Sequence, residues 1–317
     1  MNPEQVRIER REIIEQYGEW TRHNMLLSDD IYTYDHDHPK FKEHLVKRGT
    51  RLERFVQIIS DITNQPLNNL RVLDLACLEG LYGIELARRG ADVTGIEGRD
   101  ANIVKARFAK KALALDNIKF VQDDVRNLSV EKYGRFDVVL CLGILYHLDA
   151  PDVFHFVQRM SDVCERVAII DTHVGIRANK SHTFEGQEYY GWTYSEHSPK
   201  STKEERLRSN RASLDNVKSF WFTRPSLYNL LARAGFTSVY TCQSPVVLSQ
   251  WADKDTLVAV KGTRQKLVSA PIEEGLLDEL WPEERQRGMH PSQRIELEFN
   301  LRTIPRRVRK LARRILG

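Results

Sequence analysis

Residues 71–97 read RVLDLACLEGLYGIELARRGADVTGIE, a pattern that predicts a strand, a tight turn, a helix and a second strand. Val72 to Leu75 is a short apolar run that suits a strand buried on both faces. Helical spacing resumes from Ile84 to Arg89, a glycine ends that helix, and a second strand runs from Ala91 to Ile96. Glu97 therefore lies at the carboxyl end of a strand, where doubly wound sheets bind ligands and where a carboxylate accepts hydrogen bonds from ribose hydroxyls.

The residues that follow continue the alternation of helices and strands. A helix is predicted over 101–115, followed by strands over 118–121, 136–142 and 167–170. The first of these strands leads into Asp123-Asp124, and the second ends at Leu142-Gly143. Alternating strands and helices of this kind are typical of a mostly parallel sheet covered by helices on both faces.

This ordered set resembles the class I S-adenosylmethionine-dependent methyltransferases over roughly residues 68–175. The resemblance implies that Asp74 orients the first loop and that Gly80 lets the backbone approach the cofactor. It also implies that Glu97 binds the ribose hydroxyls and that Asp124 binds the adenine amino group. The other cofactor contacts that we expect are Ala76, Leu142 and, from a helix before the first strand, Arg51 on the cofactor carboxylate.

The first loop departs from the family pattern. It reads Asp74-Leu75-Ala76-Cys77-Leu78-Glu79-Gly80, so Ala and Leu occupy two positions at which the family has glycine. A leucine does not readily adopt a positive φ angle, and its side chain adds bulk near the cofactor. We therefore expect either an altered loop conformation or a slightly displaced cofactor.

Two other ligand hypotheses start from the same pattern. An NAD-binding Rossmann domain also uses a glycine-containing turn and a ribose acid, but it needs three glycines that are missing here, so a dehydrogenase is disfavoured. A nucleotide fold that has lost its ligand is disfavoured because Glu97 and Asp124 are both present.

Composition predicts a cytoplasmic protein with one α/β domain and an appendage. The chain has 317 residues, and its apolar runs are too short for a membrane span. We expect the four cysteines to be reduced and expect no metal site, because no Cys-x-x-Cys pair occurs. The formal charge is +4, but residues 301–317 hold seven Arg or Lys and no acid, so residues 1–300 carry a net charge of −3. This negative charge argues against nucleic-acid binding by the body of the protein.

We expect residues 1–66 to form a helical lid over the cofactor and the acceptor. Charged helices over 3–17 and 41–62 flank a middle that is rich in aromatic residues and histidines, from which we expect Trp20 and Tyr34 to contact substrate. An alternative is that these aromatic side chains only fasten the helices to the core.

We expect residues 172–222, which follow the fifth strand, to shape the acceptor pocket. The sequence predicts no long regular element there, and a connection of this length is usually functional. The candidate acceptor-stacking residues are Tyr190 and Trp192, and a disordered linker is the alternative.

The fold expected for 67–262 is α/β and Rossmann-like, with seven mostly parallel strands, helices on both faces and a final antiparallel hairpin. A helix over 223–234 and strands over 236–247 and 256–260 complete it. Residues 263–317 form an extension that ends in a basic amphipathic helix, 301–317, suited to a membrane surface, RNA or a partner protein. A packed C-terminal helix with solvated charges fits equally well.

Methyl transfer to a hydroxyl needs a base near the acceptor. His147 follows the fourth strand in GILYHLDAP and is a candidate, although it also suits a structural role in that turn. The other candidate bases are His23, His173 and Glu188. We expect Tyr146, beside His147, to line the cofactor or acceptor pocket.

GILYHLDAP and NVKSFWFTRPSLYNLLARAGF resemble segments of the tRNA wobble-uridine carboxymethyltransferases. In those enzymes the residue matched by Tyr146 and an arginine hold the extra carboxylate of a carboxylated donor. Here the match to the arginine is Lys218, and lysine holds a carboxylate differently, so we expect ordinary methyl donation.

The sequence therefore predicts a methyltransferase that uses S-adenosylmethionine on a small polar or sugar-like acceptor, at oxygen. A tRNA-modifying enzyme that grips RNA with the basic tail is one alternative. A non-catalytic cofactor-binding scaffold is another.

Overall fold

A computed structural model of the protein describes residues 1–242 and 253–265, which contain eight helices and twelve strands. The helices are α1 (Pro3–Tyr17), α2 (Phe41–Thr63), α3 (Leu81–Arg88), α4 (Asp100–Ala112), α5 (Val130–Tyr133), α6 (Asp152–Val163), α7 (Lys203–Arg208) and α8 (Arg224–Arg233). The strands are β1 (Leu26–Ser28), β2 (Ile31–Tyr32), β3 (Arg71–Leu75), β4 (Asp92–Glu97), β5 (Ile118–Gln122), β6 (Phe136–Leu142), β7 (Cys164–His173), β8 (Lys180–Phe184), β9 (Gln187–Ser195), β10 (Lys218–Phe222), β11 (Ser238–Thr241) and β12 (Lys254–Val260).

The main sheet has seven strands in the order β11-β12-β7-β6-β3-β4-β5. Strands β7, β6, β3, β4 and β5 are parallel, and β12 runs antiparallel between β7 and β11. The Rossmann-like sheet with a final antiparallel hairpin, expected from the sequence, is confirmed.

The strand order reverses between β3 and β6. From β3 the chain adds β4 and β5 on one side, then returns to place β6 and β7 on the other. The loops that leave β3 and β6 therefore diverge and open a crevice at the carboxyl edge of the sheet, where ligands bind in doubly wound folds.

Alternate residues of β3 feed two separate cores, one on each face of the sheet. Val72 packs into the core that α1 to α4 cover, whereas Leu73 and Leu75 pack into the core beneath α6 and α8. All three side chains are almost fully buried, as a strand covered on both faces requires.

The segment 172–222, which we call the insertion, is more regular than the sequence predicted. Strands β8, β9 and β10 form a three-stranded antiparallel sheet, and α7 lies between β9 and β10. The prediction of no long regular element was wrong. Aromatic residues on both faces of these strands hide the alternation of apolar and polar residues that indicates a strand. Tyr189 and Phe220 pack inward against Phe154 of α6, while Trp192 and Tyr194 are exposed.

The basic segment 301–317 and part of the strand predicted over 236–247 lie outside the described residues. Among the residues that the structure describes, no helix is long and apolar enough to cross a membrane. No group of three or more metal-ligating side chains occurs within 1–242 and 253–265.

We predict that Gly80→Ala destabilises the protein by about 2–4 kcal/mol. A Cβ atom at position 80 would lie 2.7 Å from Phe120 Cζ, and Gly80 has a φ angle of +85°. Urea unfolding measures the loss.

Gly186→Ala is the matched control, since Gly186 has a φ angle of +77° but no atom within 4 Å of the point that a Cβ would occupy. We expect it to cost only the backbone strain, about 1–2 kcal/mol. Equal losses in the two variants would show that contact with Phe120 is unimportant.

Candidate active site

A cleft in two connected parts lies at the carboxyl edge of the main sheet, where β3 and β6 diverge. The parts enclose about 640 and 740 Å³, including space open to solvent. We call the first part the acidic end, because its charged residues are Glu97, Asp123, Asp124 and Asp215 with Arg99 and Arg126. The second is the basic end, with Arg22, Arg51, Arg211 and Lys254 against Asp74 and Asp171. Both parts share the side chains or backbone of Ala76, Leu78, Gly143, His147 and Asn210.

The loop after β3 keeps a left-handed backbone despite its missing glycines. Ala76 has a φ angle of +50°, Leu78 of +53° and Gly80 of +85°. A non-glycine residue in this region costs roughly 1–2 kcal/mol. The loop therefore keeps a conformation that favours glycine, rather than the altered conformation that Leu78 suggested.

Glu97 supports this loop from the end of β4. Its carboxylate accepts hydrogen bonds from the Leu78 amide at 3.0 Å, the Arg99 amide at 2.8 Å and the Asn102 side chain at 3.3 Å. Burial raises the pKa of Glu97, and these donors oppose that rise. A carboxylate has about four acceptor sites. Glu97 is therefore both a wall of the acidic end and a brace for the loop.

Asp124 lies at the acidic end, in an ion-pair network. Arg126 donates to Asp124 at 2.6 Å and to Asp215 of the insertion at 2.8 Å. The neighbouring Asp123 accepts from Lys132 at 2.6 Å and also from the Tyr133 hydroxyl, and these bonds outweigh its burial and hold its pKa at about 2. Three of the four carboxylates that line this end are thus held in ion pairs.

Asp74, at the end of β3, is almost fully buried and faces the basic end. It accepts a hydrogen bond from the Gly83 amide at 3.0 Å, which ties β3 to the first turn of α3. Burial raises its pKa to about 7, against the lowering effect of the Gly83 bond, and Glu97 adds to the rise. Asp74 is therefore partly protonated at neutral pH.

Asp171, at the end of β7, joins two cations of the basic end. Arg51 Nη2 and Lys254 Nζ each lie 3.0 Å from its carboxylate, and the Thr256 hydroxyl donates to it at 3.0 Å. Burial would raise the pKa of Asp171, but these cations hold it below the usual value. Sequence reasoning missed Asp171, although its position at a strand end next to a predicted pocket is a usable signal.

His147 lies where the two ends of the cleft meet and is held by Glu196 of the insertion. Its Nδ1 is 2.9 Å from Glu196 Oε2, and Glu196 also accepts from the Ser213 amide at 2.9 Å and the Ser219 hydroxyl at 2.7 Å. Burial would raise the pKa of Glu196, but the hydrogen bond from His147 and its other donors lower it. An ionised carboxylate only accepts, so Nδ1 carries the proton and Nε2 of the neutral ring is the acceptor.

The N-terminal segment reaches the cleft through a buried carboxylate. Glu79 is fully buried and accepts hydrogen bonds from three successive backbone amides, those of Thr21, Arg22 at 3.3 Å and His23 at 3.2 Å. Lys105 of α4 donates to the Glu19 carbonyl at 2.7 Å. Thr21, Arg22 and His23 all line the basic end, so this segment forms one wall of it.

The insertion closes the acidic end through Arg99. The Arg99 guanidinium donates to the carbonyl oxygens of Leu207, Ser209, Ala212 and Ser213 at 2.7–3.2 Å. These four hydrogen bonds to one guanidinium fix residues 207–213 over the cleft. No sequence motif marks Arg99, because its partners are backbone atoms more than 100 residues away.

Several predicted residues do not line the cleft. Trp20 packs on Phe108 with ring centroids 6.1 Å apart, and Tyr34 stacks on His38 at 4.2 Å, so both fasten the N-terminal segment internally. This agrees with the alternative in which aromatic side chains hold the helices on the core. The remaining predicted residues outside the lining are Gly80, His173, Glu188, Tyr190, Trp192 and Lys218.

Each of these residues has another environment. Gly80 is needed for packing against Phe120, and the exposed Glu188 accepts from the Tyr190 hydroxyl. His173 stacks on Trp221 at 4.9 Å. Trp192 and Lys218 are exposed on the insertion sheet. Ala76, Leu142 and Tyr146 line the cleft, as do His23, Arg51, Asp74, Glu97, Asp124 and His147.

Part of the chain is similar to a known protein family. Residues 72–166 match the family model described as "Methyltransferase domain". Over these residues the chain is similar to a methyltransferase domain. The matched residues include the loop after β3, Glu97, Asp124 and His147.

Sequence relatives cover only part of this chain. The ubiquinone biosynthesis O-methyltransferase of Acinetobacter baumannii (strain AYE) is 36% identical over 81 residues, which is 26% of this chain and 34% of the relative. The protein of the same name from Psychrobacter cryohalolentis is 35% identical over 111 residues, 34% of this chain and 41% of the relative. The matches span well under half of each relative's length.

Solved structures share the methyltransferase fold over more of the chain. The N-terminal domain of EvdMO1 with SAH bound has a TM-score of 0.62 and 23% identity, covering 83% of this chain and 98% of that domain. The same domain in the presence of SAH and D-fucose has a TM-score of 0.60 and 23% identity, covering 81% and 97%. At this identity the likeness is one of fold.

We predict that Asp74→Asn changes how stability depends on pH. The folded pKa of about 7 lies above the unfolded value of about 4, so the contribution of Asp74 is fully present below pH 4 and is lost as pH rises through 7. By pH 8 the loss amounts to as much as 4 kcal/mol, at about 1.36 kcal/mol for each pKa unit. The asparagine variant should lack this decline in urea unfolding between pH 5 and pH 8.

Asp92→Asn, at the exposed first residue of β4, serves as the control and should follow the native protein. Parallel curves for the native protein and Asp74→Asn would contradict the buried, protonated state of Asp74.

Proposed function

We propose that the protein is an S-adenosylmethionine-dependent methyltransferase that methylates an oxygen of a small polar or sugar-like acceptor. The observation that carries this proposal is His147, which Glu196 holds with its acceptor nitrogen available, between the acidic and basic ends of the cleft. The methyltransferase domain supplies the rest of the argument.

The chemistry of the lining residues fits S-adenosylmethionine. Glu97 and Asp124 offer carboxylates to hydroxyl and amino donors at the acidic end, and Arg51 offers a cation to a carboxylate at the basic end. Two buried polar atoms in the cleft walls, Tyr82 Oη and Asp215 Oδ1, have no hydrogen-bond partner within the described residues. Buried polar groups are normally satisfied, so these atoms suit a cofactor that supplies partners.

S-adenosylmethionine supplies a methyl group on a sulfonium, which is open to in-line displacement. The chain itself aligns the reactants, excludes water and removes a proton. Because Glu196 is ionised and keeps the proton on Nδ1, Nε2 of His147 is ready to accept the proton of an acceptor hydroxyl. Glu196 also stabilises the imidazolium that results.

The basic end favours a polar acceptor. Apart from Leu78, Leu142, Tyr82 and Tyr146, its large side chains are mostly polar or charged, and the Tyr146 ring lies beside that of His147 with centroids 4.2 Å apart. Two tyrosine rings among many hydrogen-bonding groups suit a small hydroxylated ring compound better than an apolar chain.

We predict that Glu97→Ala weakens the binding of S-adenosylhomocysteine about tenfold or more. The variant loses the proposed ribose bonds and also the Leu78 hydrogen bond that braces the loop, and bonds to a charged group are worth about 1.5–3 kcal/mol each. Isothermal titration calorimetry measures the affinity. Glu85→Ala, on the outer surface of α3, is the control and should bind normally, whereas unchanged binding by Glu97→Ala would remove Glu97 from the cofactor site.

We predict that His147→Ala lowers kcat/KM by about 10²–10⁴ with little change in S-adenosylhomocysteine affinity, as expected for loss of a general base. The acceptor is first identified by incubating the native protein with a labelled methyl donor and fractionated cell extracts and locating the labelled product. Glu196→Gln should give a smaller loss and a changed pH profile, because an amide no longer fixes the tautomer.

His155→Ala is the control, since this histidine is exposed on α6. Native protein that binds S-adenosylhomocysteine but labels nothing would favour the non-catalytic scaffold. Full activity of His147→Ala would assign proton removal to another group.

A further inference from the structure

Cationic side chains outnumber carboxylates among the described residues that line the basic end. Four cationic side chains face two carboxylates, Asp74 and Asp171, and burial leaves Asp74 partly protonated at neutral pH. The methionine part of S-adenosylmethionine carries one carboxylate, one ammonium and one sulfonium, so it adds a net positive charge. An anionic acceptor would offset positive charge in a cleft that partly excludes water, whereas a neutral acceptor would not.

Two of the four cations already share one partner. Arg51 and Lys254 each lie 3.0 Å from Asp171, which is buried beneath them. These two side chains form a structural triad with Asp171. The other two cations, Arg22 and Arg211, are exposed.

Arg22 and Arg211 belong to the two segments that cover the cleft from opposite sides. Glu79 fixes the backbone of Arg22, and Arg99 fixes the carbonyls on both sides of Arg211. Both side chains are exposed at the mouth of the basic end. Arg211 makes no ion pair or hydrogen bond within residues 1–242 and 253–265.

The two segments touch directly beside these arginines. Asn210 Nδ2 lies 3.4 Å from Thr21 Oγ1, so each arginine follows one partner of this contact in the chain. The side chain of Arg22 is also close enough to Tyr146 to lower the pKa of that phenol, although burial raises it overall to about 12. Arg22 and Arg211 thus line the same end of the cleft as Tyr146 and His147.

We propose that Arg22 and Arg211 together bind an anionic group, a phosphate or a carboxylate, carried by the acceptor. The inference rests on the proposed function for the identity of the acceptor, but the anion site itself is defined by the two arginines. Guanidinium groups bind both anions through paired N–H donors, and one anion held by both would bridge the two covering segments. The acceptor class is therefore a phosphorylated or carboxylated hydroxy compound, such as a sugar phosphate or a uronic acid.

The test is calorimetric titration of the full chain loaded with S-adenosylhomocysteine, at constant ionic strength. The probes are D-glucose 1-phosphate, D-glucuronate, D-glucose and inorganic phosphate. We expect at least one anionic probe to bind tenfold or more tightly than D-glucose, and to bind more weakly as chloride rises. The two anionic sugars distinguish a phosphate from a carboxylate.

Two variants test the assignment to these arginines. Arg22→Gln and Arg211→Gln should each weaken the anionic probe about fivefold or more and leave D-glucose unaffected. Arg208→Gln, an exposed change on α7 outside the lining, is the matched control and should bind like the native protein. Arg51 is not substituted, because its loss would remove one of the two cations that pair with the buried Asp171 carboxylate.

The proposal is overturned if no anionic probe binds more tightly than D-glucose, or if both glutamine variants bind the anionic probe like the native protein. Failure of the proposed function looks different. In that case S-adenosylhomocysteine itself does not bind, and the same probes titrated into the unloaded protein still report whether the two arginines hold an anion.

Discussion

The cleft depends on a loop, residues 76–80, whose backbone is left-handed at three positions. This conformation turns successive groups in different directions. The Leu78 amide reaches Glu97, the Glu79 carboxylate reaches the N-terminal segment, and Gly80 leads into α3. A more extended loop would separate β4 from the N-terminal wall, and the two ends of the cleft would lose their common boundary.

Ala76 and Leu78 lack the conformational freedom of glycine but adopt positive φ angles in this loop, at a cost of roughly 1–2 kcal/mol each. Hydrogen bonds from Cys77 to the Ile96 carbonyl at 2.9 Å and from Leu78 to Glu97 offset the strain. Such strain persists only where the surroundings over-determine the backbone. Leu78 therefore lines both ends of the cleft with a side chain that a glycine would not contribute.

The two segments that cover the cleft are held by charged side chains of opposite sign. The N-terminal segment donates three backbone amides to one buried carboxylate, Glu79, whereas the insertion directs its carbonyls at one guanidinium, Arg99. In both cases a charged side chain from beside the main sheet satisfies backbone groups of an irregular segment, as buried backbone groups require. The Glu196 and His147 contact then joins the insertion to the centre of the cleft.

The sequence by itself determined the order of strands and helices along the chain and the placement of Glu97, Asp124 and His147, because these follow from apolar periodicity and position at strand ends. It did not reveal the roles of Glu79, Arg99, Asp171 or Glu196, and it assigned Trp20 and Tyr34 to the substrate. The physical reason is that each of these roles depends on a partner far away in the chain, often a backbone atom that has no sequence signal. Only the tertiary structure decided which polar groups meet, which aromatic side chains are buried as packing, and how positive charge collects at one end of the cleft.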